Sequence, residues 1–67
     1  MEAEICLNNP GKSWNETVVG RLRFKSRGRL LHFCFYYTRK VDCLIRVYWC
    51  GQFIESYRNG KEIWNGW

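Results

Sequence analysis

Between Thr17 and Val41 the chain has no acidic residue. Arg21, Arg23, Lys25, Arg27, Arg29, Arg39 and Lys40 therefore go uncompensated within that segment, and every Glu and Asp lies in the flanks. The formal charge of +5 is thus concentrated in the middle of the sequence. A field of one sign attracts nucleic acid, an anionic membrane surface or an acidic protein.

Other absences narrow the classes. No apolar run approaches the roughly 20 residues of a membrane helix, so no membrane partner is expected. The opening Met1-Glu2-Ala3-Glu4-Ile5 is acidic and lacks the basic-then-apolar order of a signal peptide. A cytoplasmic protein is the expectation. Histidine occurs once, as His32, and the few acids are scattered. Neither a paired-carboxylate mechanism nor an oriented Cys–His nucleophile has visible members, so no enzyme and no cofactor are expected.

Cys6, Cys34, Cys43 and Cys50 form no C-x-x-C pair. His32, Cys34, Cys43 and Cys50 are the right ligand types for zinc, but their spacing lacks the short gaps of zinc ribbons. No metal site is expected. An even cysteine count permits disulfides in an oxidising compartment, whereas cytosolic thiols stay reduced. Apolar neighbours such as Phe33 and Phe35 around Cys34 favour small buried thiols. Gly11-Lys12-Ser13 echoes the end of a phosphate-binding loop, but Cys6 stands where its first glycine is required.

Repeats, linkers and low-complexity tracts are also missing, and residues 1–67 read as one domain. No segment stands out as having a 3.6-residue apolar period. What is present is β patterning. Val18 to Lys25 alternates: Val18, Gly20, Leu22 and Phe24 share one face, while Val19, Arg21, Arg23 and Lys25 share the other. Leu30 to Thr38 is rich in aromatics, so it reads as a strand paired to the first through a turn at Arg27-Gly28. Ala3–Leu7, Cys43–Cys50, Phe53–Tyr57 and Lys61–Trp64 read as further short strands. Asn59-Gly60 is a hairpin turn signal, because a type I′ turn needs positive φ at both central residues. The stretch Tyr57–Trp67 resembles a single MORN-type hairpin, a common pattern that by itself implies no family.

The expected fold is all-β: a small antiparallel barrel or strongly curved sheet of five to six short strands, of SH3-like or OB-like size. Barrel closure would remove exposed edges, and a curved sheet could dimerise. The chain carries twelve aromatic residues, four of them Trp, enough for a compact core and a contact surface. Trp14, in the loop Asn8–Ser13 and its flank, is expected to fold back as a lid.

Two functions fit. The first is nucleic-acid binding through a cationic hairpin face made by Arg21, Arg23, Lys25, Arg27, Arg29, Arg39 and Lys40, with tyrosines such as Tyr36 and Tyr48 available for stacking. The second is a protein-binding module or inhibitor that masks a partner's surface, acidic or otherwise, with Tyr57, Trp64 and Trp67 as anchors.

Overall fold

The computed structural model describes residues 1–7 and 17–66. Trp14, its loop and Trp67 lie outside them. Five strands and one helix follow in order: β1 (Glu2–Leu7), β2 (Thr17–Arg23), α1 (Arg27–Lys40), β3 (Cys43–Trp49), β4 (Gln52–Arg58) and β5 (Lys61–Asn65). The strands form one antiparallel sheet of order β2-β1-β3-β4-β5. The protein is thus mostly an antiparallel β structure. The sheet does not close into a barrel: β2 and β5 remain as its two edges.

The largest departure from expectation is α1. Leu30–Thr38 is helix, so β2 has no hairpin partner across Arg27-Gly28 and pairs with β1 instead. The reason lies in which residues are buried. Leu30, Cys34 and Thr38 are spaced four apart and form the buried stripe of a helix. Leu31, Phe35 and Tyr37 flank that stripe and pack against the core. Local β preference is weak against such burial, since strand propensity largely measures fit to a half-buried sheet surface.

The helix covers one face of the sheet, over β3, β4 and β5. Ala3 and Ile5 from β1, Cys43, Ile45 and Val47 from β3, and Ile54 and Tyr57 from β4 meet Leu30 and Cys34 there. The helix falls short of β2, so Val19 and Leu22 stay about half exposed.

Polar ties fix each end of α1. At the start, the Arg27 guanidinium donates to Glu55, a carboxylate with no exposed surface that also accepts from the Tyr57 hydroxyl at 3.1 Å. At the end, the Thr38 hydroxyl donates to the Cys34 carbonyl at 2.7 Å and accepts from the Gly60 N–H at 2.9 Å. The two hairpin turns are both left-handed: Cys50 and Gly51 have φ of 50° and 81°, and Asn59 and Gly60 have 54° and 73°.

Candidate functional site

The seven expected phosphate-binding residues do not share a face. Arg21 and Arg23 point from β2 onto the sheet face opposite α1, because their register partners there are Glu4 and Glu2. Both are ion-paired with those partners. Arg21 Nη2 lies 3.1 Å from Glu4 Oε2, and Arg23 Nε lies 3.7 Å from Glu2 Oε2. Arg27 is held by Glu55 on the other side of the sheet. That hydrogen bond raises the Arg27 pKa further above its ordinary value. The expected cationic hairpin is therefore corrected: its strand half is paired with carboxylates and its other half is helical.

Four of the seven, Lys25, Arg29, Arg39 and Lys40, make no ion pair among the described residues. Three of these are brought together by α1. At about 100° per residue, Arg29, His32, Tyr36, Arg39 and Lys40 fall on the arc opposite Leu30, Cys34 and Thr38. All five are exposed. His32 stacks on Tyr36 with ring centroids 6.1 Å apart and planes 9° from parallel, and Lys40 Nζ lies 5.6 Å from the Tyr36 centroid. This face combines three permanent cations, an imidazole and a phenol, and has no acid.

The first turn of α1 carries no acidic residue, and Arg27 and Arg29 stand there instead. Cations at a helix N-terminus oppose its dipole and cost about 0.3–1 kcal/mol each. Arg39 and Lys40 in the last turn favour it.

The uncovered sheet face is a second surface. Its centre is a charged knot around Glu4, which is nearly buried between Arg21 and Arg46. Arg46 Nη2 reaches Glu4 Oε1 at 3.1 Å and also donates to Cys6 Sγ at 3.1 Å. Toward β5 the face turns aromatic: Tyr48, Phe53 and Trp64 form a row with centroid separations of 5.7 and 4.7 Å. A shallow groove of about 240 Å³ runs beside it, lined by Leu44, Arg46, Phe53, Ser56, Arg58 and Ile63. A larger open groove of about 700 Å³ lies at the other end, between Glu2, Arg23, Tyr48 and Cys50.

Of the expected anchors, Trp64 is 46% exposed and belongs to this aromatic row. Tyr57 is excluded as an anchor: it is 1% exposed, facing α1, with its hydroxyl on Glu55. The residues that sequence reasoning missed are Arg46, Phe53, Arg58 and Ile63. The signal for Arg46 was available in the alternation of β3, where Cys43, Ile45 and Val47 point inward and Leu44, Arg46 and Tyr48 point outward.

The helix also keeps the imidazole and the thiol apart. His32 is exposed while Cys34, two residues on, is fully buried. All four cysteines are free thiols, three buried and Cys50 exposed. Burial pushes the Cys34 thiol up to about 12, which makes it a poor nucleophile and ligand. No group of three or more potential metal ligands occurs among the described residues. No helix there is long and apolar enough to cross a membrane. Compared with known proteins, the chain matches no family model, no curated protein and no solved structure.

Proposed function

We propose that the protein is a non-catalytic nucleic-acid-binding module that contacts phosphates through the outer face of α1. The observation that carries this reading is the composition of that face: Arg29, Arg39 and Lys40 around His32 and Tyr36, with no acid and no ion pair among the described residues. Unpaired cations keep their full attraction for phosphate, whereas Arg21, Arg23 and Arg27 would first have to leave their carboxylates. Lys25, exposed just before the helix, extends the same field.

Fluorescence anisotropy with labelled oligonucleotides tests the reading. Affinity should rise with oligonucleotide length and fall steeply with salt, because each neutralised phosphate releases a counterion. No binding at low salt would overturn it.

A second reading rests on the uncovered sheet face. Phe53, Ile63 and Trp64 are exposed beside an apolar groove, and aromatic residues with arginine are the usual anchors of protein interfaces. On this reading the protein masks a partner's surface. Trp64→Ala should then abolish a stoichiometric complex with that partner, and added polynucleotide should not compete.

A further inference from the structure

We infer that the nucleic acid recognised by α1 is B-form duplex DNA, engaged in the major groove; this rests on the phosphate-binding reading above. Three observations separate duplex from single strand. First, the face holds two aromatic rings, His32 and Tyr36, and they are stacked on each other. His32 stacks on Tyr36 from one turn before it, and Lys40 lies over it from one turn after. Single strands are held by successive free ring faces on which bases stack. Here the two rings cover each other, which leaves the helix no row of separate stacking platforms.

Second, the surface is convex. The outer arc of an α-helix about 10–12 Å across suits a major groove about 12 Å wide, not the concave channel that cradles a single strand. The A-form major groove of duplex RNA is too deep and narrow to admit it.

Third, the cations sit at the two ends of the arc. Arg29 and Lys40 are separated by eleven helical steps, about 16 Å along the axis. Arg39 adjoins Lys40, with its side chain lying against Gly60. At about 100° per residue Arg29 and Lys40 fall on one flank of the arc and Arg39 on the other, so a helix lying in the groove presents charge to the phosphates on both walls, with His32 and Tyr36 between them toward the base edges.

The test compares a 16-base-pair DNA duplex, its separate strands and an RNA duplex of the same sequence, by anisotropy at 50 to 200 mM salt. The DNA duplex should bind tightest. With a slope of about −0.9 per phosphate contact on duplex, Arg29, Arg39 and Lys40 together contribute about −2.7. Between 50 and 200 mM the parent should therefore lose about 40-fold more affinity than R29Q/R39Q/K40Q. Circular dichroism checks that the triple variant is folded. If it is not, R29Q/K40Q leaves Arg39 on Gly60 and should flatten the slope by about 1.8. Trp64→Ala should leave duplex binding unchanged.

Single strands binding as tightly as duplex DNA, or the RNA duplex matching it, would overturn the groove inference while leaving phosphate binding intact. A salt slope unchanged in the charge variants would also overturn it. Failure of all three oligonucleotides to bind at 50 mM would overturn the nucleic-acid reading itself.

Discussion

Arg27 and Glu55 offer an asymmetric test of what holds the helix to the sheet. Glu55 has no exposed surface, while the Arg27 side chain is 41% exposed. Removing the carboxylate leaves a guanidinium that reaches water. Removing the guanidinium takes the counter-charge from a carboxylate that water does not reach. Breaking a buried pair typically costs about 3–5 kcal/mol. The partial exposure of Arg27 brings the expected loss for Arg27→Met to about 3 kcal/mol. Glu55→Gln keeps the shape and an acceptor oxygen, so it should lose only about 1.5–2 kcal/mol, the low end of what a hydrogen bond to a charged group contributes. A chain of this size is stable by about 3–10 kcal/mol, so Arg27→Met should lower Tm by roughly 12–24 °C. Urea titrations followed by circular dichroism and tryptophan fluorescence measure both losses. An Arg27→Met loss below about 1 kcal/mol, or one no larger than that of Glu55→Gln, would refute the argument.

Cys50 occupies a left-handed turn position at φ 50°, where Asn is favoured. Cys50→Asn should stabilise the protein by about 0.5–1 kcal/mol, read from the urea midpoint. Gly60 has φ 73°, and a Cβ there would meet Arg39 Cγ at 2.5 Å. Gly60→Ala should destabilise by about 1–2 kcal/mol, and a neutral result would contradict the turn geometry. Burial raises Cys34 from an ordinary 9.0 to about 12 and raises Tyr57 as well. Above pH 9 the unfolded chain therefore binds fewer protons than the folded one, so stability should fall between about pH 9 and 12. A urea midpoint that stays flat across that range would refute the burial of these groups.

The parts of the fold legible in the sequence were those governed by neighbours along the chain. All five strands follow from short strand-like runs, β2 from the alternation within Val18–Lys25, and the Asn59-Gly60 hairpin follows from turn chemistry. The helix was hidden because Phe33, Phe35 and Tyr37 place bulk on all sides of the segment, which blurs a 3.6-residue period. Its buried stripe also relies on Cys34 and Thr38, small residues with little hydrophobic signal.

The ion pairs of β2 were hidden for a different reason. The row Arg21, Arg23 and Lys25 was visible, but the carboxylates opposite it belong to β1, across a loop. Only the register Glu4↔Arg21 and Glu2↔Arg23 brings them together. What survives, Arg29 with Arg39 and Lys40, was named for its charge and is united by a helix that local patterning did not reveal.

The helical state of Leu30–Thr38 is borrowed from the sheet beneath it. Nine residues, Leu-Leu-His-Phe-Cys-Phe-Tyr-Tyr-Thr, contain no proline, no glycine and no permanent charge. That is the composition of a segment able to stack into cross-β fibrils once its partners are lost. β3, β4 and β5, over which the helix docks, all follow it in the chain. During synthesis the segment therefore emerges before the surface that will hold it as a helix. Assembly of this domain is a race between docking and self-association, and any change that loosens α1 shortens the lead.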